Sequence, residues 1–335
     1  MIDATINAAT NAAMRLLSPG GRNARLTILI YHRVLARPDE LQPDLPDAAA
    51  FDRQMQWVAD TFNVLPLDVA VRRMNEGGLP HRAAAITFDD GYADNLTQAM
   101  PILQRRGLTS TFFISTGYLD GGRMWNDTIS ETIRRCRQDR LDLTELGLGV
   151  HALATLDDRR AAIQALQRAT KYLPQAQRQQ AVDALAHHAG EPLPRDLMMT
   201  TAQLRALRDG GMQIGGHTVT HPILARIPPA QARAEILDGK AQVEALLQQP
   251  VTLFAYPNGV PGRDFGPEHV AMLRDSGFDA AVTTAAGSAD RHADRFQLPR
   301  FTPWDKTRQR FRLRLAMNLR ERGRTVAALG ASPAA

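Results

Sequence analysis

The sequence predicts a parallel α/β fold whose sheet is either open or closed into a barrel. Three observations carry this. Seven apolar runs, most of them rich in β-branched residues, recur along the 335 residues. Most are continuous rather than alternating, which suits strands covered on both faces. Helical stretches separate them, and βα alternation implies crossover connections.

In chain order, residues 1–17 read as a short amphipathic helix stopped by Ser18-Pro19-Gly20-Gly21. Asp3, Asn7, Thr10 and Asn11 interrupt the apolar core that a secretory signal needs, so a cytoplasmic location is expected. The strands are expected at 26–31, 84–88, 109–114, 212–216, 251–256, 278–283 and a short 296–298. Helices are expected at 51–61 and 68–77 after the first strand, and at 94–106 after the second, where Gly107 is a C-cap. Two more are expected at 230–248 and 266–276. Residues 127–197 contain no good strand and read as an Ala-, Arg- and Gln-rich helical insertion. The expected organisation is therefore an N-terminal helix and linker over 1–24, a main domain over 25–305, and a basic helical tail over 306–335. In the tail Phe311, Leu313, Leu315, Met317 and Leu319 alternate with arginines. A helix packed on the domain is the preferred reading, and one lying on a membrane surface the other.

Composition narrows the function classes. Charged residues are 22% and hydrophobic ones 44%, an ordinary globular balance. The single cysteine, Cys136, excludes a disulfide framework and a thiolate cluster, so any metal must use His, Asp or Glu. No apolar run reaches the ~18 residues of a membrane span. The net charge is +5, and only Lys171, Lys240 and Lys306 are lysines. No aromatic-interleaved basic patch points to nucleic acid, and none is expected as a partner.

In parallel α/β folds chemistry gathers at the carboxyl ends of strands. Here the first strand ends in His32 and the second in Asp89-Asp90-Gly91. The fourth ends in His217, with His221 one turn later, and the fifth in Tyr256-Pro257-Asn258-Gly259. His217-x3-His221 can aim two imidazoles at one point, or it is a hydrogen-bonded loop pair closed by Pro222. Two His and one carboxylate make a three-ligand site with open positions. Adjacent carboxylates repel, and burying both without a cation is costly. At a strand end they diverge, so that one could bind metal and the other take a proton. A turn followed by a helix N-cap is the alternative. Trp125, at the start of the insertion, could stack on a sugar or cap the barrel rim.

Thr87-Phe88-Asp89-Asp90-Gly91 followed by His217-Thr218-x-x-His221 resembles the polysaccharide deacetylase family of carbohydrate esterases. Phe254-Ala255-Tyr256-Pro257-Asn258-Gly259 is similar to the family's third motif. Tyr31-His32-Arg33-Val34 resembles the subgroup that includes poly-N-acetylglucosamine deacetylases. The resemblance spans about Leu26 to Pro303. It implies a distorted (β/α)7 barrel and a metal-dependent N-deacetylase acting on an N-acetylated saccharide. It further implies Asp89 as general base and Asp90, His217 and His221 as ligands of a divalent metal, usually zinc. Tyr256, Pro257 and Trp125 are expected to meet substrate, and the backbone N–H of Asn258 the oxyanion.

Two departures stand out. The family's late leucine-x-His, source of its general acid, is replaced by Gln297-Leu298-Pro299-Arg300, so His32 is expected to supply the acid from an early strand, as in a circular permutation. Ala255 stands where many members have Arg, and Arg300 is the candidate to orient the base instead. The substrate could be cytoplasmic or lipid-linked, with the basic tail held near an anionic membrane. Two alternatives are a C–N hydrolase of a small amide or cyclic ureide, and an inactive carbohydrate-binding relative.

Overall fold

The computed structural model describes residues 14–326. Of the expected N-terminal helix, 14–17 are helical and end at Ser18, with Met14 buried in the main core. Residues 1–13, and 327–335 of the expected basic tail, lie outside the described residues.

The strands are β1 (Leu26–Tyr31), β2 (Asn63–Val64), β3 (Ala83–Phe88), β4 (Thr111–Ile114), β5 (Arg140–Leu143), β6 (Gly149–Ala152), β7 (Gln213–Gly216), β8 (Leu253–Ala255) and β9 (Ala280–Val282). The helices are α1 (Ala48–Thr61), α2 (Leu67–Glu76), α3 (Met100–Arg105), α4 (Trp125–Arg135), α5 (Leu156–Thr170), α6 (Gln175–Ala186), α7 (Thr201–Asp209), α8 (Pro229–Leu247), α9 (Pro267–Asp275) and α10 (Arg308–Asn318). One π-helical turn, Asn95–Ala99, leads into α3.

β1, β3, β4, β7, β8 and β9 form a parallel sheet in that order, with β2 beside the start of β3. Every residue of β1, β3 and β4 is buried, as their unbroken apolar runs require. The stretch expected as a seventh strand is not a regular strand. Instead Leu298 bridges Val282 of β9, and Phe301 bridges Leu29 of β1. Backbone bonds run from Leu298 N–H to Ala281 and from Phe301 N–H to Ile28, so residues 298–301 join the two edges. Pro299, which has no N–H to donate, prevents a continuous ladder there. The sheet is thus a curled parallel barrel wrapped in helices, the (β/α) barrel that the sequence predicts, and its closure brings Arg300 onto Asp89 at the end of β3.

The insertion departs from the expectation of helices alone. β5 and β6 pair antiparallel within it. The signal in β5 is a four-residue Arg-Leu-Asp-Leu alternation that buries Leu141 and Leu143, too short to outweigh the helix-rich composition around it. With Ile129, Ile133, Leu166, Val182 and Leu185 these leucines form a core separate from that of the barrel. In the tail, α10 packs on the barrel through Phe311, Leu315 and Leu319, while Leu313 and Met317 face solvent. A sequence alternating every second residue is divided by the helix every fourth. Among the described residues no helix is long and apolar enough to cross a membrane.

Candidate active site

Asp89 and Asp90 leave the end of β3, 2% and 6% exposed. Asp90 takes φ +76° and Gly91 φ +93°, a sharp exit that throws the two carboxylates in different directions. Thr218, His221 and Asn258 are also left-handed, so four of the seven described non-glycine residues with positive φ sit at this mouth. Strain of this kind persists only where surrounding contacts enforce it, and it concentrates at functional sites.

Asp89 lies against Arg300, itself 1% exposed. The guanidinium donates Nη1–H to Oδ1 and Nη2–H to Oδ2, both at 2.7 Å. Its Nε donates to the Thr283 carbonyl at 2.8 Å, and Nη1 also reaches Thr87 Oγ1 at 3.2 Å. Burial opposes ionisation of Asp89, but the Arg300 charge and hydrogen bonds outweigh it and hold the carboxyl below its ordinary value. Each carboxylate oxygen keeps a lone pair beyond the one Arg300 uses. The half-exposed His32 ring stands 4.0 Å from Asp89 Oδ2 through Nε2.

Asp90 faces the other way. Its Oδ1 is 3.4 Å from Nε2 of His217 and 3.4 Å from Nε2 of His221, and the three ligand atoms form one compact group. Oδ1 is buried without a hydrogen-bond partner among the described residues. A separation of 3.4 Å is close to the edge of a tetrahedron with bonds of about 2.1 Å, the length zinc makes to nitrogen and carboxylate oxygen. Spacing, an orphaned acceptor and an all-N/O donor set fit a divalent ion. The His217 Nδ1 lies 2.7 Å from the Ala255 carbonyl, a contact that places its proton on Nδ1 and leaves Nε2 for a ligand. Burial disfavours the charged form of both rings. At His217 the Asp90 and Asp89 carboxylates override it and push the pKa up. At His221 burial wins and the pKa falls to about 3, leaving a neutral imidazole.

The loop carrying both histidines is held from behind by Glu235 of α8. That carboxylate accepts from Val219 N–H at 2.9 Å, Thr220 N–H at 2.8 Å and Thr220 Oγ1 at 2.5 Å. No local pattern in α8 marks Glu235; only the approach of the helix to the loop reveals it. A second buried network was equally hidden. Arg33 donates to Asp94, and the Tyr92 hydroxyl donates to Asp127 at 2.9 Å. Burial raises the Asp127 carboxyl to about 7, opposed by Arg33.

A cavity of about 400 Å³ opens over these groups. His32, Asp89, Asp90, His217, His221 and Asn258 line one side, and the insertion contributes Trp125, Asn126, Gln164, Gln167, Arg168 and Lys171 to the other. Asn258 presents φ +60° and an N–H without an intramolecular acceptor among the described residues, while its carbonyl accepts from Thr284 Oγ1 at 2.7 Å. Two expected substrate contacts are corrected. Tyr256 is 1% exposed, stacks on Phe265 and donates its hydroxyl to the Phe296 carbonyl. Pro257 is buried and likewise absent from the cavity wall. The turn after β8 sends Asn258, not its two predecessors, into the opening. Trp125 does reach the cavity, with the Arg178 guanidinium 5.1 Å from its ring centre.

Two carboxylates and two imidazoles gathered at the carboxyl mouth of a parallel barrel have the donor set of a metal-assisted hydrolytic site. The family follows from comparison: the chain belongs to the polysaccharide deacetylase family, whose model matches residues 76–192 and 154–281, two stretches that overlap inside the helical insertion. A Bacillus subtilis (strain 168) protein named as a polysaccharide deacetylase, YxkH, is 21% identical over 279 residues, 83% of this chain and 71% of its own. Among solved structures, IcaB from Ammonifex degensii superposes with TM-score 0.57 at 18% identity, covering 91% of this chain and 99% of its own. The Streptococcus pyogenes deacetylase PplD, in complex with acetate, gives 0.55 at 20%, covering 83% and 92%. These likenesses show the shared barrel.

Proposed function

We propose that this chain removes the N-acetyl group from an amino sugar in a polysaccharide, oligosaccharide or lipid-linked saccharide, with a divalent ion, zinc foremost, held by Asp90, His217 and His221. The observation that carries the reading is the division of labour between two adjacent carboxylates. One is locked on a buried arginine and keeps free lone pairs, and the other turns an unpartnered oxygen toward two imidazole nitrogens.

When bound, the ion supplies a water of lowered pKa and positive charge for the carbonyl oxygen. Asp89, kept ionised by Arg300, takes the proton from the attacking water as its oxygen bonds to the acetamide carbon. The Asn258 N–H is placed to donate to the oxyanion that develops. His32 gives a proton to the departing nitrogen as the C–N bond breaks, leaving acetate and a free amine. In this reading His32 takes, from the end of an early strand, the acid role that the sequence resemblance assigns to a late histidine.

The test is metal content measured together with acetate release from N-acetylglucosamine oligomers, for wild type and Asp89→Asn. About one ion per chain, with acetate from the wild type only, is expected. Equal acetate from both would remove Asp89 from its role. A chain that takes up no divalent ion would overturn the ligand assignment.

A further inference from the structure

The cavity wall built by the insertion has a chemistry of its own. Gln164, Gln167, Arg168 and Lys171 follow one another at i, i+3, i+4 and i+7, a single stripe along α5 and its C-cap, and all four line the cavity. The opposite face of α5 buries Ala162, Ile163 and Leu166 in the insertion core. The polar stripe is therefore aimed at the site by the packing behind it.

Neither Arg168 nor Lys171 forms an ion pair among the described residues. Among the described residues the only carboxylates lining the cavity are Asp89, engaged by Arg300, and Asp90, turned to the histidines. More positive charge gathers beside Lys171: its ammonium and the guanidiniums of Arg226 and Arg263 all lie within 5.7 Å of the Tyr172 ring centre. Among the described residues the one carboxylate in an ion pair with that group is Asp264, held by Arg263 at 3.3 Å. Burial and the neighbouring Arg263 both lower the Lys171 pKa, and Asp264 only partly offsets them. Cations that repel one another around a substrate cavity are stabilised when an anion arrives.

We propose that the saccharide entering this site carries an anionic substituent, a phosphate or a carboxylate, on or beside the N-acetylated sugar, and that Arg168 and Lys171 recognise it. The inference rests on the deacetylase reading and narrows its substrate class. A purely structural role would be different: cations in the last turn of α5 also complement its C-terminal dipole, and that effect would appear in stability and not in substrate choice.

Calorimetric binding to the metal-loaded full chain tests this without turnover. The probes are a neutral N-acetylglucosamine tetramer, the same tetramer with a terminal 1-phosphate, and a tetrasaccharide alternating N-acetylglucosamine with glucuronate. Wild type is expected to prefer at least one anionic probe by about tenfold at low salt. The preference should shrink in about 0.5 M NaCl, where the Debye length falls to a few ångströms. It should collapse toward one in R168Q/K171Q and survive in R168K/K171R. Which charged probe is preferred tells phosphate from carboxylate. Equal binding of all three probes, no binding of any, or a preference that persists in R168Q/K171Q would overturn the proposal. Acetate release from the same probes separates the two readings. Acetate without an anionic preference overturns this inference and leaves the deacetylase, whereas preferential binding without acetate from any probe does the reverse.

Discussion

Asp89 and Asp90 share a peptide bond, and Arg300 separates their chemistry. Arg300→Gln removes one partner of a buried pair, so a loss of about 3–5 kcal/mol in stability is expected, read by denaturant titration. Arg300→Lys keeps a charge but loses the two-pronged contact. Because Arg300 holds the Asp89 carboxyl down, its loss raises that pKa. The acidic limb of the kcat/KM profile should therefore move to higher pH in Arg300→Lys; an unmoved limb would separate Arg300 from the base. Asp127 behaves in the opposite sense. Burial raises it to about 7 against about 3.9 in an unfolded chain, so the native state keeps a proton that the unfolded state releases. This costs stability as pH rises from about 4 to about 7, and the cost is complete above that. In metal-free protein, Tm should fall across this window in the wild type and less in Asp127→Asn, whose amide oxygen can still accept from Tyr92.

At the scale of elements, α8 and the histidine loop are one device. A glycine inside a helix normally gives way to alanine with a gain of about 0.8–1 kcal/mol. Gly239 of α8 should not, because an added Cβ would stand 2.8 Å from the Thr218 carbonyl carbon, between the two histidines. Gly239→Ala is expected to lower both Tm and metal affinity, and a gain in Tm would show that the helix can retreat freely. Glu235→Gln exchanges a double acceptor for a group with one acceptor oxygen. By analogy with outer partners of other metal sites, zinc affinity should weaken by about 10–100-fold, measured by competition with a chromophoric chelator. Unchanged affinity would mean that the loop holds its own shape.

Across the whole molecule, the barrel is completed from its C-terminal part. Residues 298–301 join β9 to β1, and α10 then packs against α1 and the joining segment through Phe311, whose ring lies 5.7 Å from Trp57 and 6.2 Å from Phe301. Asp305 anchors the turn between them by pairing with Arg314 at 2.7 Å. Phe311→Ala should cost about 3–5 kcal/mol, whereas Leu313→Ala, on the exposed face, should stay within about 0.5 kcal/mol. Denaturant titration of the two variants checks this, and equal losses would contradict the packing of α10. The same burial removes Phe311, Leu315 and Leu319 from any lipid surface, so among the described residues of α10 the side chains left for a membrane contact are Leu313, Met317 and the outward arginines.

Much of the site was legible because its chemistry is local in sequence. Asp89-Asp90-Gly91 is a strand end with a forced turn, His217-x3-His221 is a spacing, and unbroken apolar runs mark buried parallel strands. Those features need only a period or a neighbour, which one strand or turn supplies. What required the tertiary structure was everything that depends on elements distant in the chain. Arg300 could be named as a candidate for the base, but only barrel closure places both its nitrogens on Asp89. Tyr256 and Pro257 share a motif with Asn258, and the turn after β8 decides that only Asn258 faces the cavity. Glu235 and the α5 stripe carry no signal in their own segments, because a helical face acquires its meaning from what it packs against. The sequence by itself determined the strand-end chemistry and the class of fold; long-range packing decided which of those groups meet.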